Sequence, residues 1–135
     1  MRILELERDI GTSSYDKVAV ELWDCSGDQQ FDACWAAMMK GAAGVVLMYN
    51  CDASAQQERE AELWHEWFVR NNNLPDRKCL VFAHSYEASS RRSDVPKGLS
   101  RCQVEQTSFR DQKGIKRAFD SFIESLDVGG GGDHK

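Results

Sequence analysis

The chain has 135 residues, 41% of them hydrophobic, which is enough for one globular domain with a core of ordinary size. Its 17 basic and 22 acidic residues give a net charge of −5 without any basic run, so the sequence disfavours nucleic acid and anionic membranes as partners. The five cysteines are an odd number without metal-ligand spacing, which predicts reduced thiols and no disulfide framework.

The first two predicted elements are strands. Residues 2–7 and 18–24 alternate apolar side chains with others, and a polar, glycine-containing connection over residues 11–16 predicts that they form an antiparallel hairpin. The second strand ends at Asp24. Because ligands bind at the carboxyl edge of strands in open α/β sheets, Asp24 is a candidate site residue.

Asp24 and Gly27 form an Asp-x-x-Gly pattern directly after this strand. The pattern is typical of a nucleoside triphosphatase loop, in which the carboxylate holds Mg²⁺ and the glycine N–H approaches a phosphate without interference from a Cβ atom. Asp24 is therefore the candidate metal ligand. The alternative interpretation is a turn that starts a helix, with Asp28 as a favourable acid in the first turn.

Helices and strands alternate after this loop. The sequence predicts a helix at 31–40, a buried strand at 44–50, a helix from 55 to about 69, a strand at 78–83, a polar loop at 87–96, a strand at 102–106 and a helix at 114–126. This order predicts one α/β domain over residues 1–127, with a largely parallel sheet. Residues 128–135 are predicted to be a flexible glycine-rich tail.

Membrane attachment has no sequence signal. No apolar run is long enough to span a bilayer, and the tail contains no cysteine for a prenyl group. We therefore expect neither a direct membrane anchor nor prenylation.

Aromatic residues on the two middle helices fit either the core or a partner interface. The interface candidates are Phe31, Trp35, Trp64 and Trp67. Among the histidines, we expect His65 on a helix surface, and His84 as a loop residue with its hydrogen bonds satisfied.

Five segments together carry a family resemblance. They are Trp23–Asp28, Phe31, Cys34–Trp35, Met39–Lys40 and Gly44–Val46. In these residues the chain resembles the Rab-like small GTPases of intraflagellar transport, from Arg2 to the last helix. The resemblance implies a Ras-like P-loop NTPase fold, with GTP or GDP and Mg²⁺ as cofactors.

The sequence departs from this family's pattern in its phosphate site. It contains no Gly-x-x-x-x-Gly-Lys-Ser/Thr segment, so we expect the first strand and the P-loop to be absent. In Ras-like folds that strand lies between the strands that end here at Asp24 and Asn50. Its loss predicts two unpaired strand edges and a monomer of doubtful stability, unless the sequence is incomplete or a partner covers the edges.

Two further departures concern hydrolysis and base recognition. Asp28 stands where Ras relatives have a water-orienting glutamine, which predicts weak hydrolysis or none. His84-Ser85-Tyr86-Glu87 aligns with the family's Asn-Lys-x-Asp, so the resemblance implies a base contact for Glu87, and a second one for Thr107 and Ser108. The implied nucleotide contacts are therefore Asp24, Gly27, Glu87, Thr107 and Ser108.

Two functional hypotheses follow from the resemblance. In the first, the chain is an adaptor or scaffold subunit that joins intraflagellar transport complex B. It then occurs in the cytoplasm and in the cilium, including the basal body, and the chain as given is expected to bind no cofactor. In the second, it is a nucleotide-switched GTPase once a leading segment is restored. No catalytic residue is assigned in either hypothesis.

Overall fold

Five strands in two sheets form the framework of this computed structural model, which describes residues 2–9, 17–51, 55–85 and 95–129. One sheet is an antiparallel hairpin and the other is parallel, in the order β3-β4-β5. The strands are β1 (Arg2–Asp9), β2 (Lys17–Asp24), β3 (Val45–Asn50), β4 (Cys79–Ser85) and β5 (Gln103–Ser108). The predicted hairpin and the predicted parallel sheet are both confirmed.

The sheet is interrupted between β2 and β3. Among the described residues, β2 pairs with β1 and β3 pairs with β4, and no strand lies between β2 and β3. This is the position at which the sequence predicts a break. Side chains still connect the two sheets, because Val20 of β2 and Val46 of β3 pack against the same apolar cluster.

Three α-helices accompany the strands. They are α1 (Trp35–Met39), α2 (Ala55–His65) and α3 (Gln112–Gly129). None of the helices in the described ranges has both the length and the apolar character needed to cross a membrane. α3 includes residues 128 and 129, so the prediction of a flexible tail is wrong for these two residues. Residues 130–135 lie outside the described part of the structure.

The two middle helices are less regular than predicted. The helix predicted at 31–40 begins as a 3₁₀ segment, Gln29–Cys34, and only Trp35–Met39 is α-helical. The helix predicted at 55–69 is α-helical to His65 and ends in a π-helical turn, Glu66–Arg70. In this turn the N–H of Asn71 donates to the carbonyl of Glu66, five residues back. The hydrophobic periodicity of the sequence predicts neither the 3₁₀ segment nor the π-helical turn.

Strand β4 lies at the centre of the core, since both of its faces are covered. Cys79, Val81 and Ala83 face the cluster that contains Ala61 of α2. Leu80 and Phe82 alternate with them and face α3. The chain therefore forms three layers, with α2 on one side of the parallel sheet and α3 on the other. The residues that pack against Leu80 and Phe82 from α3 are Ile115, Ala118, Phe119, Phe122, Ile123 and Leu126.

This layering predicts unequal costs for two leucine truncations. Leu80→Ala removes a fully buried side chain between β4 and α3, so the free energy of unfolding should fall by about 2–5 kcal/mol. Leu4→Ala, on the hairpin and 37% exposed, should cost about 1 kcal/mol or less. Urea denaturation followed by circular dichroism measures both. Equal losses in the two variants would contradict this assignment of the core.

Candidate functional site

The loop at the end of β2 carries the predicted nucleotide residues. Asp24 is the last residue of the strand and its side chain is exposed. Four residues later, the Asp28 carboxylate accepts hydrogen bonds from the backbone N–H and the side-chain amide of Gln30, at 3.0 and 3.1 Å. The N–H of Asp28 donates to the Ser26 hydroxyl at 3.2 Å. These bonds support the alternative interpretation, in which Asp28 is the acid of a helix-starting turn.

Two indole rings hold the same loop from outside. Trp35 Nε1 donates to the carbonyl oxygen of Ser26 at 3.1 Å, and Trp64 Nε1 donates to that of Gly27 at 2.9 Å. Trp35 belongs to α1 and Trp64 to α2, so two helices bind two consecutive carbonyl groups. The backbone of the loop is thereby fixed by contacts that involve no ligand.

Gly27 is required here by the close approach of an indole ring. A Cβ atom at this position would overlap the six-membered ring of Trp64, including its atom Cζ2. In the interpretation from sequence, Gly27 lacks a Cβ atom so that a phosphate can approach its N–H group. In the structure the space on that side of Gly27 is taken by Trp64, so packing alone is a sufficient reason for the glycine.

Trp35 is a core residue, and its prediction as an interface residue is wrong. Only 1% of Trp35 is exposed, because its ring packs against Phe68 and Trp67 with centroid separations of 5.0 and 5.7 Å. Trp64 is half-buried over Gly27. Trp67 is 39% exposed, beside a cleft of about 140 Å³ that Met39 also lines. The side chain of Phe31 lies outside the described part of the structure.

The predicted base contacts lie on the other sheet, where β4 and β5 end. A hydrogen bond of 2.8 Å joins Nδ1 of His84 to Oγ1 of Thr107, and the ring of Phe109 meets the His84 ring edge-on at 4.5 Å. Thr107 is buried, and the Ser108 carbonyl accepts from the N–H of Asp111. The expected hydrogen bonding of His84 is present, but His84 lies in β4 and not in a loop as predicted. Glu87 lies outside the described residues.

These residues do not by themselves fit the phosphates of a nucleotide. The sequence has no P-loop motif, Gly27 is covered by Trp64, and Asp28 is bonded to Gln30. Asp24 offers an exposed carboxylate, which is a suitable Mg²⁺ ligand but only one of the six oxygen positions that the ion fills. No step of GTP hydrolysis can be assigned to this set of side chains.

Cys25, Cys34, Cys79 and Cys102 have free thiols. Interaction with the Cys102 thiol, and then burial, raises the pKa of Cys79, whereas interaction with the Cys79 thiol lowers the pKa of Cys102 against the opposing effect of burial. Burial also raises the pKa of Cys25. The thiol pair joins the start of β4 to the turn before β5.

A second cluster of polar side chains was missed from the sequence. His65 was expected on a helix surface, but it is only 5% exposed and its Nε2 lies 2.9 Å from Oδ1 of Asp76. The expectation is wrong because His65 shares an apolar stripe with Ala61, Phe68 and Val69, at spacings of four, three and four residues. That spacing is a signal that could have found it. Cys102 completes the cluster.

Comparison with known proteins places the chain in a family. A family model for the Ras family matches residues 4–127. The chain is 42% identical to the human intraflagellar transport protein 22 homolog over 86 residues, which cover 62% of this chain and 46% of that protein. It is 33% identical to the Bos taurus homolog over 132 residues, 93% of this chain and 71% of the relative.

A more distant relative is intraflagellar transport protein 22 of Chlamydomonas reinhardtii, 34% identical over 83 residues, which are 62% of this chain and 41% of that protein. The chain therefore spans about half the length of most of these relatives. The chain belongs to the Ras family, and within it to the family of the intraflagellar transport protein 22 homologs.

Proposed function

We propose that this protein is a Rab-like adaptor subunit of intraflagellar transport complex B, which serves ciliary transport and cilium assembly. The observation that carries the proposal is the fixation of the Ser26 and Gly27 carbonyl groups by Trp35 and Trp64. The names of the relatives support the transport process. The Ras family implies GTP or GDP with Mg²⁺, and the adaptor function proposed here needs neither.

A nucleotide switch requires a loop with two conformations, one of which the terminal phosphate stabilises. Here a second conformation would have to break both indole–carbonyl hydrogen bonds, each worth about 1 kcal/mol. It would also withdraw Trp64 from Gly27 and disturb the buried Trp35. The loop therefore favours one conformation with or without nucleotide, which is the behaviour of a scaffold.

Trp67 is the residue that we propose for contact with a partner subunit. Its ring is braced by the buried Trp35 and yet is 39% exposed, next to a cleft with Asn71 and Asn72 on its rim. Rigid, partly exposed tryptophans are frequent binding hot spots. Trp64, which is half-buried over Gly27, and Phe31 remain proposed members of the partner surface.

The relatives' names also support a location, since intraflagellar transport takes place in cilia and flagella. We accordingly propose that the protein occurs in the cytoplasm and in the cilium, including the basal body.

The second candidate is a nucleotide-switched GTPase in a longer form of the protein. Two observations favour it: Asp24 is exposed at the carboxyl end of β2, and the sheet is interrupted between β2 and β3. A further strand with a P-loop could pair in that interruption and bring phosphates towards Asp24.

A double-mutant cycle tests the fixed loop. Gly27→Ala should lower the free energy of unfolding by about 1–3 kcal/mol, because the new methyl group overlaps the Trp64 ring. In a Trp64→Phe background the same change should cost less, because the smaller ring leaves room. Urea denaturation of the four proteins gives the coupling energy. A coupling of zero would mean that Trp64 does not hold the loop.

Two tryptophans of equal exposure test the partner surface. Trp67→Ala should abolish or strongly reduce co-purification with transport subunits from ciliated cells, while Trp23→Ala should not. Trp23, 40% exposed on the hairpin, is the matched control. Retention by Trp67→Ala, or equal loss in both variants, would rule out this surface.

Nucleotide dependence separates the two candidate functions. For an adaptor, recovery of partner subunits should be the same with GDP and with a non-hydrolysable GTP analogue, and Asp24→Ala should change neither recovery nor thermal stability. Recovery that rises severalfold with the GTP analogue, and that Asp24→Ala abolishes, would favour the switch. Quantitative pull-downs from lysates of ciliated cells provide the comparison.

A further inference from the structure

Three side chains of metal-ligand type converge away from the Asp24 loop. They are His65 at the end of α2, Asp76 in the 3₁₀ turn Asp76–Lys78, and Cys102 in the turn before β5. One ligand atom from each lies within 4.8 Å of the other two. We propose that His65, Asp76 and Cys102 bind one zinc ion, a property independent of the adaptor function.

The distances between the ligand atoms are close to those of a zinc site. Tetrahedral zinc with bonds of about 2.0–2.3 Å holds its ligand atoms roughly 3.3–3.6 Å apart. Here Nε2 of His65 and Oδ1 of Asp76 are 2.9 Å apart, and no pair exceeds 4.8 Å. Opening the first distance by about 0.5 Å and closing the longer ones by up to about 1.5 Å, through side-chain rotation, would complete the geometry.

Local backbone features bring the three residues together. The π-helical turn Glu66–Arg70 begins directly after His65, and such turns occur often at functional sites. Asn73, at a φ of 58°, reverses the chain so that Asp76 returns beside His65. The N–H of Cys102 donates to the Leu99 carbonyl at 3.0 Å, which fixes the third residue. Three separate elements thus supply the ligands.

The donor set favours zinc over the Mg²⁺ of the family. A thiolate and an imidazole are soft or borderline ligands, which zinc accepts and magnesium does not. His65 and Cys102 are 5% and 9% exposed, so the ion would lie largely out of water. Cys79 belongs to the same buried cluster as Cys102 and helps to hold the proposed ligand in place.

The fourth coordination position faces an open cleft of about 640 Å³, which His65 and Asp76 line. Arg70, Lys97 and Arg101 lie on the same cleft, and all three are exposed, so solvent screens their repulsion of a cation. A water molecule would complete the coordination, as in zinc sites with three protein ligands.

Metal titration of the whole chain, stripped with a chelator under reducing conditions, tests the proposal. We expect one zinc ion per chain that survives dialysis, and one Co²⁺ ion with the absorption of a thiolate-bound, tetrahedral site. Cys102→Ser should remove the thiolate–cobalt band. Asp76→Asn, which is nearly isosteric and partly exposed, should fold normally and weaken binding at least about tenfold in chelator competition.

Cys34→Ser is the matched control. Cys34 is an exposed thiol near Cys25, and this pair is the other place where thiols could capture the ion. The Cys34→Ser protein should keep the cobalt band and the affinity of the wild type. Loss of the band in Cys34→Ser, or a band that persists in Cys102→Ser, would overturn the proposal.

Thermal melts keep the test decisive if Cys102→Ser folds poorly. Zinc should raise the melting temperature of the wild type and of Cys34→Ser by similar amounts, and that of Asp76→Asn by clearly less at the same zinc concentration. An equal rise in all three proteins, or no rise in the wild type, would mean that the cluster is only a buried histidine–aspartate pair.

Discussion

The contact of Trp64 with Gly27 determines the conformation of the loop on which both candidate functions depend. The indole takes the space that a Cβ atom would need and donates to the Gly27 carbonyl. Trp35 binds the preceding carbonyl, so helices before and after β3 fix one short segment. In this chain the Trp64 ring occupies the space beside Gly27 into which a phosphate would have to move. The Asp-x-x-Gly pattern, which this chain shares with nucleotide switches, is thus compatible with a loop held in one conformation by two helices.

The order of elements was predictable because each strand has its own local signal. The alternation in β2 and the apolar runs of β3 and β4 set the sheet, and Asp24 lies at the strand end as expected. Contacts between distant residues were not predictable in the same way. Trp64 and Gly27 are 37 residues apart, and the His65–Asp76–Cys102 cluster joins three elements whose spacing resembles no metal motif. Such contacts depend on how the elements pack, which one sequence does not specify.

The errors in the sequence interpretation have related physical causes. Trp35 was placed at an interface because an aromatic on an amphipathic helix fits either side, but the neighbouring Phe68 and Trp67 enclose it. His65 was placed at the surface because histidine is polar, whereas the Asp76 carboxylate satisfies its ring inside the protein. In both cases the partner that decides burial comes from another element of the fold.

The interruption between β2 and β3 divides the backbone hydrogen bonds into two independent sets. No ladder bond in the described chain joins the hairpin to the parallel sheet, and side chains such as Val20 provide the connection. The hairpin can therefore separate from β3, β4 and β5 without breaking any strand pairing. The amide hydrogens of the hairpin should therefore exchange with solvent through a local opening that costs less free energy than the opening of the central strand β4. The domain thus contains two cooperative unfolding units of different stability.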